Sequence, residues 1–149
     1  MDLILWRHAE AEPGEPDLGR RLTAKGQKQA ERMGAWLDHH LPDGTRVLAS
    51  PADRAQQTAF GLKRKFRTVD EIAPGASVAA VLAAAGWPDA REPVLIVGHQ
   101  PTLGAVAAFL LSGEETYWAV KKGAVWWLSC RAHHGGDVLL RAVVGPDLV

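Results

Sequence analysis

The sequence predicts a single α/β domain with three layers, in which helices cover both faces of a mostly parallel central sheet. Short apolar runs recur along the chain, and segments whose apolar residues follow helical spacing separate them. Strands and helices that alternate in this way favour parallel pairing, because each helix returns the chain to the same end of the sheet. A length of 149 residues suits one domain with its own core, so we expect one domain over residues 1–149.

The predicted strands are short and apolar. Leu3-Ile4-Leu5-Trp6 and Val94-Leu95-Ile96-Val97 contain no polar residue, which is typical of central strands that are buried on both faces. In chain order, the predicted strands are 3–6, 46–49, 94–97, 124–130 and 138–143. A turn around His133-His134-Gly135-Gly136 is expected to join the last two. Residues 9–22 are rich in proline, glycine and charge, and therefore predict a loop.

Helices are predicted between these strands, and residues typical of helix ends mark their limits. Thr23 is a good N-cap for a helix with apolar residues at helical spacing. Ser50-Pro51 predicts the start of the second helix, with Ser50 as its N-cap. Ser77 caps the third helix, Gly86 closes it, and the fourth helix follows Pro101.

The charge balance and the single cysteine exclude several classes of protein. Lysine plus arginine and aspartate plus glutamate both number 17, so the formal net charge is zero and a general nucleic-acid-binding surface is not expected. Cys130 alone forms neither a disulfide within the chain nor a cysteine-based metal site. No run of about 18 apolar residues is present, and Met1-Asp2 leads directly into a strand. We therefore expect a cytoplasmic protein without a membrane segment.

Cationic side chains and histidines follow the predicted strands at the points where those strands end. Arg7-His8 comes directly after the first strand, and Gly98-His99 follows the third. Arg54 lies in the first turn or so of the helix after the second strand. Because the carboxyl ends of parallel strands meet at one edge of a sheet, where open α/β sheets bind ligands, these residues are expected to converge.

Two arginines and two imidazoles around one pocket suit a phosphoryl group. A guanidinium bonds phosphate oxygens in pairs and stays charged at any working pH, and helix N-termini add backbone donors. One neutral imidazole is able to attack phosphorus in line and form a covalent phosphohistidine. The other, when protonated, is able to hold an equatorial oxygen as charge redistributes in the transition state.

A family resemblance rests on several segments that occur in the family's order between residues 7 and 101. The segments are Arg7-His8, residues 20–26 (Arg-Arg-Leu-Thr-Ala-Lys-Gly), residues 50–58 (Ser-Pro-Ala-Asp-Arg-Ala-Gln-Gln-Thr) and residues 98–101 (Gly-His-Gln-Pro). With them the chain resembles the histidine phosphatase superfamily, which has the phosphoglycerate mutase-like fold, and within it the small SixA-type phosphohistidine phosphatases. The resemblance implies a phosphatase that acts through a covalent phosphohistidine intermediate and hydrolyses phosphohistidine on a protein.

The resemblance also implies roles for individual residues. His8 is expected to be the nucleophile that becomes phosphorylated. Arg7 and Arg54 are expected to hold the phosphoryl oxygens, with His99 as the second imidazole of the pocket. Arg20 matches the arginine of the SixA-type Arg-x-Leu-Thr-x-x-Gly pattern and is expected to reach the phosphate from its loop.

The residue after the nucleophile and the general acid are open points. Ala9 stands where the family usually has glycine, which adds a methyl group beside His8. Glu71, in Asp70-Glu71-Ile72-Ala73-Pro74, resembles the SixA-type Glu-Leu-x-Pro position and is the best candidate for the acid; an exposed loop carboxylate is an equal alternative. A phosphohistidine substrate has a labile P–N bond, and its imidazole is protonated from solvent near neutral pH, so a strong acid is dispensable.

The length of the segment between Lys65 and Glu92 bears on the substrate. It leaves little room for the long insertions that cap the pocket in mutases and phytases of the superfamily, so an open site is expected. An open site admits a phosphorylated protein, such as a histidine phosphotransfer domain, and releases inorganic phosphate. The alternatives are hydrolysis or transfer of phosphate on a small phosphorylated metabolite, and a non-catalytic phosphate-binding domain. No cofactor or metal is expected, because no clustered carboxylates or His-x-His pattern accompany the site.

Overall fold

The computed structural model describes residues 1–131 and 136–149, and the turn predicted around His133 lies outside the described residues. The strands are β1 Asp2–Arg7, β2 Arg46–Ala49, β3 Arg67–Thr68, β4 Val94–Gly98, β5 Val125–Cys130 and β6 Val138–Val144. The helices are α1 Ala24–His40, α2 Asp53–Phe60, α3 Val78–Ala85 and α4 Thr102–Ser112. Short 3₁₀ turns lie at Asp17–Gly19, Asp70–Ile72 and Pro146–Leu148. Of the helices in the described ranges, none combines the length and the apolar character that crossing a membrane requires.

The six strands form one mixed sheet in the order β3-β2-β4-β1-β5-β6. From β3 to β1 the neighbouring strands pair in parallel. By contrast, β5 runs antiparallel to β1, and β6 runs antiparallel to β5. The structure is therefore an α/β domain as predicted, but the prediction of a mostly parallel sheet holds only from β3 to β1.

The reversal at β5 follows from the segment between α4 and β5. This segment is fastened to the carboxyl end of β1, where the backbone N–H of Arg7 donates to the carbonyl of Ala124 at 3.1 Å. The indole Nε1 of Trp6 donates to the carbonyl of Gly123, also at 3.1 Å. Gly123 has a φ of +74°, a conformation that favours glycine. Because β5 begins beside the end of β1, it runs back along that strand, and sequence periodicity does not distinguish the two directions.

Alternate residues of the central strands pack on opposite faces of the sheet. Ile4 and Trp6 of β1 lie in a core with residues of α1 and α2. Leu3 and Leu5 lie in a second core with residues of α3 and α4. This period of two is the ordinary consequence of a pleated strand. The prediction that helices cover both faces is therefore confirmed.

The helix starts agree with the sequence at two caps and differ at α2. The Oγ1 of Thr23 accepts from the backbone N–H of Gly26 at 2.9 Å, and the Oγ of Ser77 accepts from that of Ala80 at 3.0 Å. However, α2 begins at Asp53 with Ala52 as its N-cap, so Ser50 is not the cap that was predicted. The hydroxyl of Ser50 instead lies 2.7 Å from Nε2 of His99.

Candidate active site

The register of the sheet brings the ends of β1, β2 and β4 together. Arg7 pairs with Gly98, and the backbone N–H of His8 donates to the carbonyl of Gly98 at 3.0 Å. The backbone N–H of Ser50 donates to the carbonyl of Val97 at 3.1 Å. Arg7-His8, Ser50 and Gly98-His99 therefore lie at one edge of the sheet, as the strand ends predicted.

His8 is a buried, neutral imidazole whose Nε2 carries the lone pair. Only 7% of its surface is exposed. Its Nδ1 donates to the carbonyl of Ala9 at 2.7 Å, which places the proton on that nitrogen. Burial, together with the nearby cations Arg54, Arg7 and Arg20, lowers its pKa to about 4, although the hydrogen bond to Ala9 works in the opposite direction. The side chain therefore has the protonation state that a nucleophile needs at neutral pH.

His99 is the second imidazole, and its ring centroid lies 5.2 Å from that of His8. The Oγ of Ser50 accepts from the backbone N–H of Ala52 at 3.2 Å and lies 2.7 Å from Nε2 of His99. In the tautomer in which the hydroxyl donates to Nε2, the ring proton lies on Nδ1, which is buried and has no hydrogen-bond partner among the described residues. Burial is the main cause that lowers the pKa of His99 to about 3, and His8 and Arg54 lower it further. These causes favour the neutral imidazole at neutral pH, and the protonation of His99 in the transition state stays a prediction.

Arg7 and Arg54 flank these histidines and are each held by backbone oxygens. The Nη1 of Arg7 donates to the carbonyl of Val120 at 2.8 Å. Arg54 is only 4% exposed, and its Nη1 and Nη2 donate to the carbonyl and the Oδ2 of Asp17 at 2.8 and 3.1 Å. The Nε atoms of both arginines are buried without a partner. Among the described residues, these two atoms and Nδ1 of His99 are the buried side-chain nitrogens and oxygens that lack a hydrogen bond.

Asp17 joins Arg20 to Arg54 and is a residue that the sequence reasoning did not assign to the site. Its Oδ1 lies 3.3 Å from Nη1 of Arg20, while its Oδ2 accepts from Arg54. The hydrogen bond from Arg54 is the main cause that lowers the pKa of Asp17. Arg20 also donates from Nε to the carbonyl of Glu12 at 2.8 Å. Its contact with Asp17 links it to Arg54. One feature of the sequence could have indicated this role: Asp17 precedes Arg20 by three residues in the same loop, a spacing that allows an ion pair.

Ala9 fits beside His8 without strain. It is fully buried, and its methyl group packs against Leu22 and Ala30. Its backbone N–H donates to Oγ1 of Thr58 at 3.0 Å, and its φ lies outside the left-handed region that favours glycine. The usual glycine is therefore not required at this position of this chain.

Glu71 forms no hydrogen bond with either histidine among the described residues. It is exposed on the 3₁₀ turn Asp70–Ile72, where Ile72 is the buried residue that packs beneath α3. Glu71 lines a separate cavity of about 360 Å³, together with Arg46 and Arg67. Within the part of the chain that the structure describes, it forms no hydrogen bond or ion pair with the site. The general-acid role of Glu71 therefore stays a prediction, beside the alternative of an exposed loop carboxylate.

The described residues contain no group of three or more histidine, cysteine, aspartate or glutamate side chains that is able to hold a metal ion. The side chains gathered at this edge of the sheet are two imidazoles, with pKa values lowered by burial, and the guanidinium groups of Arg7 and Arg54. Such a set matches a tetrahedral oxyanion in charge and in donor geometry.

The match to a family model decides to which family the chain belongs. Residues 3–77 match the model described as Histidine phosphatase superfamily (branch 1). The chain belongs to this superfamily. The matched range contains Arg7, His8, Arg20 and Arg54, whereas His99 lies beyond it and is placed at the site by the register of the sheet.

Relatives within the histidine phosphatase superfamily include SixA proteins. The chain is 35% identical over 126 residues to the phosphohistidine phosphatase SixA homolog of Haemophilus influenzae, covering 74% of this chain and 77% of that protein. It is 30% identical over 123 residues to the phosphohistidine phosphatase SixA of Escherichia coli, covering 76% of each. A solved structure of the protein histidine phosphatase SixA complexed with tungstate superimposes with a TM-score of 0.81 at 25% identity and covers 99% of both chains.

Proposed function

We propose that this protein is a phosphatase that forms a covalent phosphohistidine on His8 and hydrolyses phosphohistidine on a protein. The observation that carries the proposal is the set of buried, unpaired donors around a neutral nucleophile: Nε of Arg7, Nε of Arg54 and Nδ1 of His99. A buried donor without a partner costs about 1–3 kcal/mol, and an oxyanion that accepts from it removes that cost. The tungstate complex of the related SixA supports an oxyanion as the ligand, because tungstate is tetrahedral like phosphate.

The first chemical step transfers the phosphoryl group to His8. The lone pair on Nε2 forms a bond to phosphorus, and the P–N bond of the substrate breaks in line with the attack. The bonding electrons go to the leaving imidazole nitrogen, which takes a proton from solvent. Arg7 and Arg54 balance the charge on the equatorial oxygens, and His99 donates its Nδ1 proton to one of them.

The second step returns His8 to its original state. A water molecule adds to phosphorus, the bond to Nε2 breaks, and inorganic phosphate leaves while the surplus proton passes to solvent. Neither step requires the carboxylic acid that an alkoxide leaving group would need. Under this proposal, Arg20 acts through Asp17 to hold Arg54, rather than on the phosphate alone.

We propose that residues 1–149 form a single histidine phosphatase domain and that it works in the cytoplasm on a phosphorylated protein. The SixA relatives, named as phosphohistidine phosphatases, support this substrate. The proposal expects activity to survive EDTA, because the residues of the site themselves provide the nucleophile and the positive charge.

The proposed intermediate is tested by trapping it. Wild-type protein is mixed with a ³²P-labelled histidine phosphotransfer domain, the reaction is quenched, and label is sought on His8. We expect a label that acid removes and base does not, with phosphate release lost in His8→Ala. As a matched control, His39→Ala removes an exposed histidine at the end of α1 and should leave release unchanged.

Two results of the same experiment count against the proposal. Absence of turnover on any phosphoramidate or aryl phosphate would leave a non-catalytic phosphate-binding domain as the function. Equal kcat/KM values on the phosphoprotein and on small phosphate esters would favour the metabolite alternative over a dedicated protein phosphatase.

A further inference from the structure

A groove rich in positive charge lies beside the proposed phosphoryl pocket. It has a volume of about 620 Å³ and runs between α1 and the segment before β5. Its cationic side chains are Arg7, Lys25, Lys28, Arg32, Lys121 and Lys122. These residues define the basic groove. It also contains the carboxylates of Glu10 and Asp147, so positive charge exceeds negative charge in a chain whose formal net charge is zero.

The cations of the basic groove are exposed and have no acidic partner. The side chains of residues 25, 28, 32, 121 and 122 are all exposed, and none of them forms an ion pair within residues 1–131 and 136–149. Lys25, Lys28 and Arg32 follow one another at helical spacing on one face of α1, where like charges repel. Repulsion between these like charges therefore destabilises the folded state here. Elsewhere in the structure a cation such as Arg64 is paired with an acidic residue, Asp38.

The basic groove is continuous with the proposed site. Arg7 belongs to both, and its Nη1 donates to the carbonyl of Val120, directly before Lys121. The backbone N–H of Gly123 donates to the carbonyl of His8 at 3.1 Å. The segment that carries Lys121 and Lys122 is thus fastened at both ends to Arg7-His8. A group bound to His8 lies next to the start of the groove.

Acidic residues lie on the loop that precedes α1, outside the lining of the basic groove. Glu12 and Asp17 lie on the loop that holds Arg20 and Arg54, and Glu15 is exposed on the same loop. A substrate protein that approaches His8 therefore meets both the positive groove and the acidic side chains of this loop. This asymmetry favours one orientation of a partner and raises its association rate.

We propose that the basic groove docks an acidic segment of the substrate protein beside its phosphohistidine. The inference rests on the proposed function, and it adds the surface chemistry of the partner. A protein segment fits better than a nucleic acid, because the positive charge is confined to one short groove that also contains Glu10 and Asp147. A single phosphate engages only a small part of a groove of this volume, in which the cations extend from Arg7 to Arg32.

The test compares one charge-reversed variant on two substrates. The groove variant is Lys25→Glu/Lys28→Glu/Arg32→Glu, and the matched control is Lys65→Glu/Arg67→Glu/Arg91→Glu, which reverses exposed cations outside the groove. The substrates are free phosphohistidine and a phosphorylated histidine phosphotransfer domain with acidic residues around its histidine. We expect the groove variant to lose about tenfold to hundredfold in kcat/KM on the phosphoprotein, chiefly through KM, and less than about twofold on free phosphohistidine. The control should stay within about twofold on both substrates.

A reciprocal exchange of charge makes the test specific. Replacing the acidic residues of the phosphotransfer domain by lysines should lower kcat/KM with the wild type and restore it with the groove variant. The wild-type reaction on the acidic phosphoprotein should also slow as salt is raised from about 0.05 to 0.5 M, with a weaker dependence in the groove variant.

Several outcomes separate this inference from the proposed function. If the wild type releases phosphate from neither substrate, the proposed function fails. If it is active on both and the groove variant keeps its kcat/KM on the phosphoprotein, the docking inference alone fails. The inference is also overturned if the groove variant loses activity equally on both substrates. Tighter binding of the wild type to a duplex DNA oligonucleotide than to the phosphoprotein, lost in the groove variant, would assign the groove to nucleic acid.

Discussion

Around His8 the guanidinium groups of Arg7 and Arg54 are held by fixed oxygen partners, whereas the lysines and Arg32 of the adjoining basic groove are exposed and form no ion pair among the described residues. Arg54 is 4% exposed and is held by two atoms of Asp17, and Nη1 of Arg7 is held by a backbone carbonyl. Lys25 and Lys28 of the groove have no ion pair among the described residues. The two regions meet at Arg7.

The difference indicates that, at one edge of the sheet, buried groups act on the phosphoryl group while exposed cations bind the substrate protein. Buried donors act over short distances in a low effective dielectric, so their effect depends on geometry and little on salt. Exposed cations act over about one Debye length, roughly 8–10 Å at physiological salt, and are screened by it. Variants in the pocket should therefore change kcat on every substrate, whereas variants in the groove should change KM on charged proteins only.

The largest effect is expected from Arg54→Lys. The substitution keeps the charge but removes the planar fork that Asp17 positions, so kcat/KM should fall by about 10²–10³-fold on both substrates. Arg64→Lys is the matched control, because Arg64 is also held by an aspartate and by backbone carbonyls, through four hydrogen bonds to Asp38, Leu41 and Pro42 at the far end of α1. Its activity should stay within about twofold of the wild type. A loss confined to the phosphoprotein would mean that Arg54 belongs to docking rather than to the pocket.

A second prediction concerns stability in acid. The pKa values of His8 and His99 are lowered by burial to about 4 and 3, below the unfolded value near 6.5, so the unfolded state binds protons first as pH falls. This stability is fully present above pH 6.5 and is lost as pH falls toward 4, with a slope of up to about 1.4 kcal/mol per pH unit for each histidine. Denaturant unfolding between these pH values measures the slope. His99→Gln should flatten it, and an unchanged slope would show that His99 is not held neutral by burial.

The smallest effect is expected from Asp17→Asn. Its carboxylate is half exposed and lies on Arg54 and Arg20, where it repels a bound dianion. Removing this charge should tighten the binding of tungstate by about threefold to tenfold, because the remaining interaction is partly screened by solvent. Asp43→Asn, in the exposed turn after α1, is the control and should leave the Kd unchanged. The asparagine side chain keeps an acceptor oxygen for Arg54, so we expect the arginine to stay in position; weaker binding in Asp17→Asn would show that this hold depends on the carboxylate charge.

The sequence by itself determined the elements and the residues at their ends. Apolar runs and the cap residues Thr23 and Ser77 fixed most strand and helix positions, because these signals are local. The strand ends also gave Arg7-His8 and His99 their shared edge, since parallel β1 and β4 end together. By contrast, β3 was missed, because its residues Arg67–Thr68 are exposed and form no apolar run.

Only the tertiary structure decided which groups contact each other and in which protonation state. The direction of β5, the bond from Ser50 to His99, and the contact of Asp17 with Arg54 all join residues that are distant in the chain. The neutral state of His99 depends on burial and on neighbouring cations, and neither is visible in its local sequence. In the sequence the groove cations look like ordinary solvated residues. Only folding places them in one groove beside Arg7.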